Sequence, residues 1–392
     1  MSTTDQRSAA LPGVARPART PSRLDPPRFD CLCLAGNKTV KSVEDDNRFD
    51  KAMFHIDIAS EGTRAIVSRT APNEFFSKLY MFDAATPNPG AEWTVELPNS
   101  EILALAISAD GSTVAVSAFG LGPNNRVLVF DGASGSNKTE YAWQLPNAAT
   151  SALLGVSGDG EYVGVLSSLG INNIKVDVIH STGAHSGPVS NSTLTTSVGQ
   201  SFGISSDGMY VAAGQATNLI VWKRDSGSKI SYSEAFTTTT EGFYVAAGTI
   251  SFSPDSPHMS VAWQIASNSV SQNKVMVFDL PSSTAIMNVS LPATTGARVN
   301  WPIGTGLSSK GQYAVMCCWG AEGQQPAAAQ LQVYSTATSS PSPASIFTPG
   351  SMMACGIAKQ SSTGKVVAIG SGKHTHATVF GNGGDMYVVE VE

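Results

Sequence analysis

Residues 106–118 read AISADGSTVAVSA, and residues 155–167 (GVSGDGEYVGVLS) and 203–214 (GISSDGMYVAAG) repeat the same design. Each holds an apolar run, a Ser-x-Asp-Gly turn and a second apolar run. Asp-Gly between two such runs predicts a β-hairpin, because glycine takes positive φ without steric cost and aspartate hydrogen-bonds the turn backbone. Four weaker copies stand at 57–68 (DIASEGTRAIVS), 251–263 (SFSPDSPHMSVAW), 306–319 (GLSSKGQYAVMCCW) and 359–371 (KQSSTGKVVAIGS). The turn glycine, or the residue in its place, falls at Gly62, Gly111, Gly160, Gly208, Ser256, Gly311 and Gly364, so one unit of 48 to 55 residues is used seven times.

Downstream of the hairpins a third apolar run recurs, for example LYMFD at 79–83, VLVFD at 127–131 and VMVFD at 275–279. A fourth, more polar run stops at Leu-Pro in three copies, at Pro98, Pro146 and Pro292, and proline suits the end of an edge strand. Four strands in about 50 residues, repeated without helical periodicity, predict an all-β chain: a single seven-bladed β-propeller of four-stranded antiparallel blades. Small-residue runs such as Val114–Ala118 and Val211–Gly214 fit inner strands crowded near an axis.

Composition agrees. Hydrophobic residues make up 42% and charged residues 14%, against roughly 25% charged in ordinary soluble domains, which excludes global disorder and supports a large core. No run approaches the ~18 apolar residues of a membrane helix, and a net charge of −6 gives no chain-wide nucleic-acid footprint. Neither membrane nor nucleic acid is therefore expected as a partner. Residues 1–28 carry five arginines among Pro, Ala, Ser and Thr without the apolar core of a secretory signal, and read as a disordered tail on a cytoplasmic protein, with an organelle transit peptide as the alternative. The propeller is expected over 29–392. Residues 29–45 contain CLCLAG from Cys31, which matches the late-strand pattern, and are expected to supply the closing strand of the last blade, whose own outer strand is missing.

The Ser-Pro-Asp-Gly-like blade turn over roughly Asp57 to Glu392 resembles the WD-repeat-like propellers and the bacterial YVTN and lactonase-type propellers. No Gly-His opens a blade and no Trp-Asp closes one, as they do in WD repeats proper. The resemblance implies a propeller; in its lactonase-type branch it implies polar residues converging at the channel mouth.

Candidate chemistry is sparse. Asp110, Asp159 and Asp207 are explained by the turns they sit in. His374 and His376 would share one side of a strand, as metal ligands do, but only two ligands are visible, so they are read as loop histidines rather than a metal site. Five cysteines without CxxC spacing read as buried reduced thiols. Gly-x-Ser-x-Gly elbows and phosphate loops are missing, and no cofactor, metal or catalytic set is assigned.

The informative feature is where the unit grows. Between second and third strands, copy 4 needs only Gln215–Asn218, whereas copies 5, 6, 7 and 1 spend Gln264–Lys274, Gly320–Gln330, Ser371–Asp385 and Arg69–Lys78. These copies are consecutive around a ring, and their connections should cluster on one face. They carry or adjoin Phe75, Phe76, Trp263, Trp319, His374 and His376, residue types suited to anchoring a protein partner. Trp263 and Trp319 end apolar strands and fit packing between blades equally well. The reading is a non-enzymatic interaction scaffold; a lactonase-like hydrolytic enzyme and a structural subunit of a larger particle are its rivals.

Overall fold

The computed structural model describes residues 29–32, 53–59, 64–71, 76–83, 90–120, 125–143, 152–168, 174–181, 183, 200–215, 217–228, 230–239, 242, 249–267, 270–295, 301–318, 330–346, 351–357, 366–373 and 385–391. The described residues contain no α-helix, and no helix is long and apolar enough to cross a membrane. Their strands form seven antiparallel sheets that follow chain order.

Sheet one holds Met53–Ile58, Arg64–Ala71, Phe76–Asp83 and Ala91–Pro98; sheet two holds Ser100–Ile107, Thr113–Gly120, Asn125–Asp131 and Asn137–Trp143. Sheet three has Ala152–Val156, Tyr162–Ser168 and Ile174–His180, and sheet four has Gln200–Ile204, Tyr210–Gln215, Asn218–Arg224 and Tyr232–Thr239. Sheet five contains Ile250–Phe252, His258–Ser267, Val270–Asp279 and Thr284–Ser290, with Thr294–Thr295 added beside the third of these. Sheet six comprises Pro302–Leu307, Tyr313–Cys318, Leu331–Ser335 and Ala344–Ile346. In sheet seven, Ser351–Ile357, Val366–Lys373 and Asp385–Val391 are joined by Phe29–Leu32 from the start of the chain, in the register Phe29 to Val391 and Leu32 to Val388.

Alternation along each strand explains how the sheets associate, because successive side chains point to opposite faces. In the second strand of sheet two, Val114 and Val116 enter a core shared with Ile66, Leu79 and Met81 of sheet one, while Ala115 enters a core shared with Val163 and Val165 of sheet three. The same exchange continues: Val176 and Tyr162 meet Phe202 and Trp222, Val221 meets Val261 and Phe278, and Val277 meets Met316 and Tyr334. Sheets two to five are thus buried on both faces, and the first strands of neighbouring sheets lie side by side from sheet one to sheet seven. This is a β-propeller-like arrangement. Small residues permit the close stacking: a Cβ on Gly164 would stand 2.7 Å from the Phe202 ring of the next sheet.

The hairpins form as their sequence dictates. In sheets two, three and four the glycine adopts positive φ (Gly111 72°, Gly160 70°, Gly208 61°) and its N–H donates to the carbonyl of the turn serine. Neighbouring turns also touch: the Gly158 N–H donates to the Ser206 carbonyl and the Asp255 N–H to the Ser309 carbonyl, both at 2.7 Å. The Ser-x-Asp-Gly turns therefore share one end of the assembly, and the connections from second to third strand leave from the other.

Candidate functional site

In sheets five and one, growth of the second-to-third-strand connections takes a different form from the loops expected. Gln264–Lys274 is mostly strand: pairing runs unbroken from His258 with Asp279 to Ser267 with Val270, so the hairpin of sheet five is lengthened rather than its loop enlarged. Amide side chains hold it. Gln264 Nε2 donates to Asn273 Oδ1 at 3.3 Å, Asn273 Nδ2 donates to the Cys318 sulfur of sheet six at 3.2 Å, and Gln272 Nε2 donates to the Leu291 carbonyl at 2.9 Å. Thr294–Thr295 pairs with Val270–Ser271 and widens the tip. In sheet one, pairing likewise continues through Arg69 with Lys78 to Ala71 with Phe76.

Phe76 opens a strand, is half-buried, and stands opposite Pro98 as well as Ala71. Trp263 is 4% exposed, in the core between sheets four and five, and the backbone at Gly242 lies over it: a Cβ there would be 2.6 Å from the Trp263 ring. Its indole packs between sheets, the second of the two placements its sequence position suggested. Phe75, Trp319, His374 and His376 lie outside the described residues, as do residues 319–329 and 374–384 of the connections in sheets six and seven.

At the opposite end, a cavity of about 570 Å³ is walled by first strands, including Leu105, Ile107, Phe202, Ile204 and Phe252, and by Asp57. It adjoins a second cavity of about 450 Å³ bordered by Asp159, Asp207 and Asp255. Asp57 was not singled out by sequence reasoning. Aligning the copies marks it as the one acidic residue at a position that Ala106, Gly155, Gly203, Ser251, Gly306 and, in the last copy, Lys359 occupy elsewhere. Its Oδ2 accepts the Ile107 N–H at 2.9 Å.

The turn carboxylates are engaged locally. Asp110 Oδ1 accepts from Ser108 Oγ at 2.6 Å and from the Ser112 N–H at 2.9 Å; Asp159 and Asp207 make the same pair of bonds with Ser157 and Glu161 and with Ser205 and Met209. Burial pushes the Asp110 carboxyl up, but its bonds from Ser108 and Ser112 outweigh that and hold it below the usual carboxylate range. Among the described residues, no three His, Cys, Asp or Glu side chains group as metal ligands.

No protein-family model and no curated protein matches this sequence. Among solved structures, a chain of the mitotic checkpoint complex is similar at 14% identity and a TM-score of 0.53, over 93% of this chain and 96% of that one. Hydrazine synthase of Kuenenia stuttgartiensis is similar at 14% identity and a TM-score of 0.49, over 80% of this chain and 91% of that one. The first likeness, together with the arrangement of the sheets, defines the class: this is a β-propeller-like protein. At such identity the likeness concerns the fold alone.

Proposed function

We propose that the seven sheets close into a seven-bladed propeller, with Phe29–Leu32 as the outer strand of the last blade, and that the propeller is a non-enzymatic scaffold for a protein partner. The partner docks on the end from which the second-to-third-strand connections of sheets five, six, seven and one emerge. The observation that carries this reading is the sheet-five hairpin: two strands of ten residues, His258–Ser267 and Val270–Asp279, reach beyond Lys274, where the fourth strand begins to pair. A stiff, amide-braced projection of this kind offers backbone and side-chain groups to a partner with little ordering cost.

The test is affinity purification from the native source with the intact protein, a Phe75→Ala/Phe76→Ala variant, a variant with the hairpin tip shortened, and one with the connections of sheets two and three exchanged. Loss of the same partner from the first two variants, with circular dichroism unchanged, supports the reading. Partners retained by both and lost on the exchange reject the face. The rival hydrolytic reading draws on the cavity at the turn end; its wall brings Asp57 together with mainly apolar side chains, and a lactone-hydrolysis screen with metal analysis tests it.

A further inference from the structure

Cys317 and Cys318 are consecutive in the second strand of sheet six, so their side chains leave opposite faces. Cys318 belongs to the core with Ala262 and Val277 of sheet five. Cys317 therefore faces sheet seven, whose first strand carries Cys355. Opposite Cys317 in the pairing register is Gly304, and this glycine leaves the space in which the two sulfurs meet: a Cβ there would stand 3.4 Å from Cys317 Sγ and 3.5 Å from Cys355 Sγ. The two thiols are close enough to act on one another across the sheet boundary. Both are free, Cys317 fully buried and Cys355 half-buried.

We propose that Cys317 and Cys355 form a site of reversible oxidation, in which a hydroperoxide converts the two thiols to a disulfide that fastens sheet six to sheet seven. The half-buried Cys355 meets the oxidant. Its sulfur attacks the peroxide, the O–O bond breaks, one water leaves, and Cys355 becomes a sulfenic acid. The Cys317 sulfur then attacks the Cys355 sulfur; the S–S bond forms, the S–O bond breaks, and the departing hydroxide takes the Cys317 proton as a second water. In sum, two thiols and one hydrogen peroxide give one disulfide and two waters. Burial pushes the Cys317 thiol up, and the neighbouring Cys355 adds to this, so Cys317 is not the thiol that meets the peroxide first; it resolves the sulfenic acid because its sulfur lies beside that of Cys355 at Gly304. A vicinal bond between Cys317 and Cys318 is opposed by their opposite orientations on an extended strand.

The experiment uses the full-length reduced protein. It is treated with hydrogen peroxide, unfolded in N-ethylmaleimide to block remaining thiols, digested, and mapped without reduction. The expected product joins the Cys317 and Cys355 peptides, is lighter by two hydrogens than their sum, and is released by dithiothreitol. In Cys355→Ser, Cys317 is recovered as its maleimide adduct after the same treatment; in Cys317→Ser, dimedone traps a sulfenic acid on Cys355. Should Cys317→Ser fail to fold, the wild-type map and Cys355→Ser, altered at the half-buried position, decide the matter. Recovery of Cys317 as adduct in wild-type protein whose Cys355 has been consumed overturns the proposal, and so does a disulfide between Cys355 and any other cysteine.

Discussion

The Asp57 carboxylate of sheet one accepts the backbone N–H of Ile107 in sheet two at 2.9 Å, across fifty positions of sequence. That separation is about one repeat, and the bond ties consecutive sheets beside the cavity walled by the first strands. Replacing Asp57 by alanine leaves a buried-edge donor without this acceptor and is expected to cost about 1–3 kcal/mol, with Asp57→Asn costing less because an amide oxygen still accepts. Urea unfolding monitored by circular dichroism measures both.

The turn serines each make two bonds, donating to the aspartate and accepting a backbone N–H from Thr113 or Tyr210. Ser108→Ala and Ser205→Ala should each destabilise by about 1 kcal/mol. Because they lie in sheets two and four without shared partners, the double variant should sum the two losses within about 0.5 kcal/mol. A clear excess over that sum would show that the turns act as one network across the sheets.

Two glycines at positive φ separate backbone strain from packing. Gly227 has φ 79° with open space around its missing Cβ, and Gly208 has φ 61° with the Tyr162 ring of sheet three 2.4 Å from the Cβ position. Gly227→Ala should cost about 1 kcal/mol, the left-handed penalty alone, while Gly208→Ala adds displacement of a neighbouring sheet and should cost about 3 kcal/mol or more. Equal melting points for the two variants would contradict this account of how the turns contact the next sheet.

Stability should fall in two windows as pH drops. Burial lowers the His55 pKa from its ordinary 6.5, opposed by a bond with the Ile102 backbone. The unfolded chain therefore binds the proton first, and stability declines from about pH 6.5 down to the folded-state value, then levels. Asp110 is held below its ordinary 3.8, so its contribution is present above that value and is lost as pH falls through the folded value. A folded His55→Gln variant should lack the upper decline and keep the lower one, read from thermal melts between pH 3 and 8.

Several features of this architecture are legible in residues 106–118 and their six relatives. Ser-x-Asp-Gly specifies a tight turn through bonds spanning five residues at most, so Ser108, Asp110 and Gly111 do in space what their order implies. The candidate site was less legible. Gln264–Lys274 looks like a connection because its polar residues interrupt an apolar run, yet Gln264 and Asn273 satisfy each other across the hairpin and keep it in register. Trp263 had two placements open to it, and only the neighbouring Ala212, Leu219 and Val221 of sheet four show that it lies between sheets.

Local periodicity, then, determined strands, turns and their recurrence, because those depend on neighbours a few residues apart. The tertiary structure alone decided which face of each strand meets which sheet, and so brought Asp57 to Ile107 and Cys317 to Cys355. Those meetings arise from the stacking of whole sheets a repeat apart. A short sequence window carries the alternation that makes both faces apolar, but not the identity of the residue that will press against them.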